Sequence, residues 1–536
     1  MSATATDALL AQLPMLLVVA PLIAAALCLL VRDARLVWWL AMAVSAAALV
    51  FSVTLFVHTG GGLVLEYAVG GWQPPWGIAY KVAPVNALMA LVLSAVFLAG
   101  VVYAGRSFGR ELRGRRLQPV YSALLICQSG FFGVAMTDDL FNIFVFLEMA
   151  SIAGYALVAS ARTPRALTAA FRYLLMGTTG AALFLLGIGY LYLVTGTLNL
   201  SDMAPRLQPA LGSPAVVAAL GFIGAGLLLK AALFPLHLWL PNAYAHAPSA
   251  IAAVLSGTGT KVALYILIRL LFGVFDAASF SAALPDVMMV LAPAAIVAGS
   301  GLAIFQRQVK RMMAYSSVAQ IGYIVLGVAL VTQTGLAAGL VHLFNHAIIK
   351  VSLFMALGCV VYRAGACRLS DLAGLSSRMP WTAAAIVAGA VSLVGLPLTS
   401  GFVSKWYLVS AVLEANLWLP AFVILAGSLM SAAYGWRLVE AAYFRGAEGG
   451  AGGAGGVSGE GGWAGKDGVG SASGVGEGNE DRRAAEDDNG GDGKTAEAPP
   501  VMLLTTWALI ALNFFVGVNP SWLTRACLGI AGTLLG

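Results

Sequence analysis

The chain has 536 residues, 60% of them hydrophobic and only 10% charged. A soluble protein carries roughly 25% charged residues, so lipid must be the solvent for most of this one. The formal net charge of +6 hides a split: residues 446–499 hold eleven acids and four bases, and taking these from totals of 24 and 30 leaves 13 acids against 26 bases. That excess fits the basic cytoplasmic loops of a membrane protein and excludes nucleic acid as the partner. The five cysteines (Cys28, Cys127, Cys359, Cys367, Cys527) form no CxxC or Cys/His cluster, so iron–sulfur, zinc and disulfide frameworks are not expected.

Runs of about 20 apolar residues, each long enough to cross a hydrocarbon core, recur along the chain. They predict fourteen spans: 8–31, 36–57, 84–105, 119–136, 140–161, 167–196, 214–235, 248–275, 287–305, 312–332, 336–363, 380–412, 419–444 and 501–519. The first has no basic residue before it, so it reads as a retained span and not as a cleaved signal peptide. Alternating spans put Arg32, Arg35, the arginines of 106–116, Arg162, Arg165, Arg307, Lys310, Arg311, Arg363, Arg368, Arg378, Arg437 and Arg445 on one side. By the positive-inside rule that side is cytoplasmic, and both termini face outward from a bacterial inner membrane. The long outer loop between spans 2 and 3 carries Trp72, Pro74, Pro75 and Trp76, read as interfacial anchors and turns. Residues 446–499, with 19 glycines and many acids, cannot bury enough surface to offset their ordering entropy and are expected to be a disordered cytoplasmic linker.

Charges inside a bilayer are costly, so each needs a reason. Glu148 lies about 12 Å into its span at 1.5 Å per residue. Lys230 and Lys261 lie deep in spans 7 and 8. His342, His346 and Lys350 follow one another as HLFNHAIIK, at i, i+4 and i+8 on one helix face. Lys405 follows the interruption GLPLTSGF in span 12. Any one of these could simply bond two helices together; a set spread over five spans is harder to explain that way. Arg269 and Glu440 lie near span ends, where snorkelling is the simpler reading. His237 and His246 lie in a re-entrant-looking stretch where loop capping and proton relay are equally open.

Pro235 ends span 7, Gly395 and Pro397 interrupt span 12, and each break has a lysine within eight residues. Paired helix breaks mark inverted-repeat transporters. The division expected is 1–117 (helices 1–3), 118–275 (first repeat, helices 4–8), 287–445 (second repeat, helices 9–13), 446–499 (linker) and 500–536 (helix 14). Burial disfavours a charged lysine, and a neighbouring carboxylate offsets that penalty. A Glu148–Lys230 pair that loosens would therefore push a proton towards Lys261, the histidines and Lys405, with histidine suited to the middle of the path.

The stretches DDLFNIFVFLEMASIAGYALVA, LLLKAALFPLHLWLPNAYAHAPSAIAAVLSG, VKRMMAYSSVAQIGYIVLG, HLFNHAIIKVSLF and SLVGLPLTSGFVSKW resemble the proton-conducting, antiporter-like subunits shared by Mrp-type Na⁺/H⁺ antiporters, respiratory complex I and membrane-bound hydrogenases. The GTLNL and LPNAY segments most resemble the D-type branch of the Mrp antiporter subunits. The resemblance implies an all-α, fourteen-helix fold with two inverted five-helix repeats. It makes Glu148 and Lys230 the ion pair, Lys261 the central lysine, His342, His346 and Lys350 the connecting relay, and Lys405 the terminal lysine. The family often reads LPDAH where Asn242 and Tyr244 stand here, which leaves a route through that loop in question. Other membrane subunits, protons, Na⁺ and the lipid bilayer are the expected partners, with no catalytic redox centre, cofactor or metal. The competing reading is a proton-pumping subunit of an NADH dehydrogenase or hydrogenase complex.

Overall fold

The computed structural model describes residues 5–275, 283–365, 367–445 and 497–535; most of the expected linker, 446–496, lies outside them. Three helices open the chain: α1 (Ala5–Leu30), α2 (Ala34–Thr59) and α3 (Pro84–Glu111). Next come α4 (Gln118–Met136), α5 (Leu140–Ala159), α6 (Pro164–Thr195), the short α7 (Leu200–Leu207), α8 (Pro214–Lys230), α9 (Trp239–His246) and α10 (Ser249–Gly273). The rest are α11 (Ala283–Ile304), α12 (Val309–Ala329), α13 (Gln333–Ala364), α14 (Leu375–Arg378), α15 (Pro380–Val394), α16 (Ser400–Glu414), α17 (Trp418–Val439), α18 (Pro500–Val518) and α19 (Ser521–Leu535). Twelve helices among the described residues are long and apolar enough to cross a membrane, and Pro214–Lys230 and Pro380–Val394 are shorter apolar helices. Each of these two opens a broken span, which brings the crossings to fourteen, and the protein is an integral, multi-pass membrane protein. Almost every residue of α10, α12 and α13 is buried, so these three helices form the centre of the bundle.

The two repeats have a common register of 169 residues. Asp139 bridges Asn199 as Gln308 bridges Arg368. The flanking bonds Leu140 N–H to Leu198 O and Leu200 N–H to Asp138 O recur as Val309 to Cys367 and Leu369 to Arg307. Thr163 caps α6 through Ala166 N–H as Thr332 caps α13 through Gly335 N–H. Left-handed Gly196 and Gly365 end the same two helices, and Arg162 and Val331 share a φ near +50°. Five spans per repeat is an odd number, so the second repeat enters from the opposite face.

Both breaks fall where expected. In the first, α8 stops at Lys230, Ala232 takes a φ of 58°, and the Leu229 carbonyl accepts from both Ala232 N–H and Trp239 Nε1 at 3.0 Å. In the second, Gly395 and Leu398 have φ of 85° and 71°. These contacts matter because lipid cannot satisfy a broken helix.

Several elements differ from the sequence expectation. The outer loop folds back as a hairpin, β1 (Leu65–Ala68) on β2 (Ala79–Val82), too short for a pattern to mark, with Trp72 and Trp76 exposed between its strands. The last span, Pro500–Val518, ends where expected, but a further helix follows it. After Pro520, which lacks an N–H, the chain forms the separate helix α19. There Trp522 packs edge-on to Phe344 and Gln333 donates to Leu528 O. Glu497, placed by sequence in the linker, is docked: its carboxylate accepts from Trp381 N–H at 2.6 Å and Thr382 Oγ1 at 2.8 Å, capping α15.

α6 and α8 meet backbone to backbone, and a Cβ on Gly226 would lie 2.5 Å from Gly180 O. Gly226→Ala should therefore cost about 1–3 kcal/mol, measured as thermal unfolding of the purified protein in detergent. Gly221→Ala, whose Cβ would meet nothing within 4 Å, should leave the transition unchanged or slightly raised.

Candidate functional site

Helix α5 starts at a firm cap, Asp139 accepting from Asn142 N–H at 2.7 Å, which fixes the height of Glu148. Lys230 is the last residue of α8, where a cation also complements the helix dipole. The two side chains meet as an ion pair, and Lys230 Nζ also donates to Ser151 Oγ at 3.1 Å. Ser151 is three residues from Glu148 and so shares its helix face. The lysine is buried, while the glutamate keeps 17% of its side chain exposed. A cavity of about 20 Å³ beside the pair reaches from Lys230 and Ser151 past Tyr155 to Gly259, two residues from Lys261. That volume suits a single water, and the buried Tyr155 hydroxyl there has no protein partner. Only glycine at 177 leaves room for it, since a Cβ there would collide with the hydroxyl oxygen.

Lys261 is fully buried in α10 and donates to Ser256 O of its own helix. In the second repeat, His342 bridges two helices, Nδ1 to Ser404 Oγ at 2.8 Å and Nε2 to Gln320 Oε1 at 2.9 Å. His346 stacks beneath it at 6.2 Å, and neither of its ring nitrogens has a protein partner. Lys350 donates to Met313 O at 2.8 Å and to Ser316 Oγ. Lys405 Nζ reaches back across the second break to Leu393 O (3.1 Å) and Val394 O (2.9 Å) and lies 5.1 Å over the Tyr323 ring.

The structure thus joins Glu148 to Lys230, and seats Lys405 on dipoles and an aromatic face, with no acid paired to it among the described residues. His237 and His246 are kept apart. His237 lies in the first break against Phe234 and Tyr315, its ring nitrogens unpartnered by protein. His246, the last residue of α9, lines an open groove with Arg165 and Arg172.

Arg269 does not snorkel. It is buried and paired with buried Asp138 at 3.3 Å, and its other nitrogen donates to Thr137 O at 2.8 Å. A polar chain runs on from Asp138 to Ser201 Oγ (2.6 Å), to Lys81 (2.8 Å) on the hairpin and to exposed Glu66 (3.9 Å). Reading the sequence by distance from the span end missed this pair, because its partner sits in the turn before α5. The spacing of Tyr265 and Arg269 at i+4 and i+8 from Lys261 was the available signal.

Residues 137–431 match the family described as NADH:quinone oxidoreductase/Mrp antiporter, TM. NADH-quinone oxidoreductase subunit N of Desulforudis audaxviator is 43% identical over 81% of this chain and 87% of its own. The D-type subunit of the Na(+)/H(+) antiporter of Alkalihalophilus pseudofirmus is 32% identical over 70% and 75%. Among solved structures, a chain of the Mrp complex from a Dietzia species superposes with a TM-score of 0.82 at 28% identity, covering 98% of both chains.

Asp138→Asn would leave the Arg269 charge buried without its counter-ion, a loss of about 3–5 kcal/mol. The expected outcome is lower membrane abundance and an earlier thermal transition in detergent. The pair replacement Asp138→Asn with Arg269→Met should recover most of both.

Proposed function

The chain belongs to the NADH:quinone oxidoreductase/Mrp antiporter family, and from that premise we propose that it is the proton-translocating subunit of a multisubunit monovalent cation/H⁺ antiporter. The observation that carries the reading is the Glu148–Lys230 pair beneath the first helix break, followed by buried Lys261, His342, His346, Lys350 and Lys405. These seven groups are the proposed relay. Glu148 holds a proton charge on Lys230. When the pair loosens, that charge moves to Lys261, passes the imidazoles and Lys350, and reaches Lys405, whose carbonyl and aromatic partners stabilise a cation without binding it permanently. Four lysines share one carboxylate, and like charges in a low-dielectric interior repel, so the line favours passing a charge along over storing several. His237, beside the first break, is a second-rank candidate for the same path, and His246, at the end of α9, lies in the groove with Arg165 and Arg172.

Na⁺ is the proposed counter-ion, by analogy with the Na(+)/H(+) antiporter relative. Other membrane subunits are the proposed partners, since the superposing structure is of a multisubunit complex. A second reading, the proton-pumping subunit of a complex I-like NADH dehydrogenase, is favoured by the 43% identical oxidoreductase relative. Proton movement that requires a Na⁺ gradient supports the first; movement driven by quinone reduction supports the second. The proposed division keeps 118–275 and 287–445 as the two relay-bearing repeats, and both termini outside. A topology reporter should then read cytoplasmic after Arg445 and periplasmic after Gly536, and the opposite result at either position removes this orientation.

The relay itself is tested in everted vesicles, with ΔpH-linked transport normalised to protein level. Glu148→Ala and Lys230→Ala should each abolish transport, and Glu148→Asp should keep part of it. The double variant should be no worse than either single one, because groups acting as a unit are non-additive. If the pair only glues helices, abundance falls instead while activity per molecule stays normal.

A further inference from the structure

We propose that Glu111, Ser249 and Lys310 form the cytoplasmic mouth through which protons reach Lys350, an assignment that rests on the relay reading above. Glu111 ends α3 and is the one acid in a run with Arg110, Arg113, Arg115 and Arg116. Its half-buried carboxylate turns inward: Oε1 accepts from Ser107 Oγ at 2.5 Å, and Oε2 accepts from Ser249 N–H at 2.8 Å and Ser249 Oγ at 3.0 Å. From the other side, Lys310 Nζ donates to the same Ser249 Oγ at 2.9 Å and to Ala247 O at 3.4 Å. Lys310 is only 5% exposed, although its sequence position counts it among the loop bases that orient the chain. One hydroxyl therefore accepts from a lysine and donates to a carboxylate, joining the ends of α3, α10 and α12.

Helix capping accounts for part of this. Glu111 satisfies the first N–H of α10, and Lys310 the carbonyl that follows α9. A serine, an asparagine or water would cap as well, without the several kcal/mol that a buried ammonium costs. What capping leaves unexplained is an acid and a base sharing one exchangeable hydroxyl, with the acid towards solvent and the base towards the interior. Once Lys310 has passed a proton inward towards Lys350, its neutral amine takes the Ser249 hydroxyl proton, and Glu111 returns to Ser249 Oγ a proton that it has taken from water. Beyond Lys310 the path continues on α12. Met313 O and Ser316 Oγ, the two groups that hold Lys350, lie three and six residues further, about 4.5 and 9 Å of helix rise. The flexible four-carbon stems of Lys310 and Lys350 can cover that distance.

Arginine separates the two roles. Lys310→Arg keeps the charge and the donors but does not release its proton. In the full-length chain within its native membrane assembly, we expect normal abundance and at least a tenfold loss of ΔpH-linked transport per molecule. Lys230→Ala is measured in parallel. If Lys310→Arg transports normally while Lys230→Ala is inactive, the mouth is overturned and the relay stands. If Lys230→Ala is fully active, the relay falls and the mouth with it. Should Lys310→Arg fail to assemble, Glu111→Gln decides, because it still accepts from Ser249 but has no carboxylate to titrate. A tenfold loss there supports the mouth, and a normal rate overturns it.

Discussion

A helix interrupted inside a membrane leaves carbonyls with no water to accept from, and most of what is unusual in this protein follows from meeting that demand. At the first break the Leu229 carbonyl is taken by Ala232 N–H and the indole of Trp239, while the neighbouring Lys230 pairs with Glu148. At the second break no tryptophan does this. Lys405 itself covers the Leu393 and Val394 carbonyls, which gives an ammonium group neutral partners. The same structural need is met in two ways, and the difference separates a lysine held by an opposite charge from one held only by dipoles.

The 169-residue register sharpens the comparison. Positions of the first repeat map onto the second as Glu148 to Ser317, Tyr173 to His342, Gly177 to His346 and Ala181 to Lys350. Several backbone features are duplicated: the Thr163 and Thr332 caps, the left-handed turns, the paired bridges. The chemistry is not. The first repeat carries the carboxylate and a cavity bounded by tyrosines and a glycine; the second fills the equivalent helix with two imidazoles and an ammonium. The repeated scaffold thus has two breaks, and its side chains differ so that one repeat carries the ion pair and the other a chain of bases.

The spans and buried charges were legible because hydropathy and charge are read one residue at a time. Glu148, Lys230, Lys261 and Lys405 stand out in apolar runs whatever surrounds them. Their neutral partners did not stand out: Ser151, Ser316, Gln320, Ser404 and Tyr323 are common helix residues, and a backbone carbonyl leaves no trace in a sequence. Lys310 and Arg269 were misplaced for a related reason. Both lie near span ends, where a base usually reaches water, and only the packing of α3 and of the α4–α5 turn reveals that these do not. The repeat left a faint written trace as well, NLSDMA at 199–204 and RLSDLA at 368–373, too short to find without the bridges that align it.

Glu497 has a consequence for how this chain can change over time. The residues flanking 446–496 are both tied to the same turn-rich region between α13 and α15: Arg445 O accepts from Gly374 N–H at 2.9 Å, and Glu497 caps α15 a few residues on. Residues 445 and 497 are thus each anchored to this region by their own hydrogen bonds, and the cost of closing a chain between two fixed points grows only slowly with its length, about 0.6 kcal/mol per doubling. The membrane bundle is thereby insulated from insertions at that point. A change of length between these two anchors need not disturb the hydrogen bonds that hold Arg445 and Glu497 to the bundle.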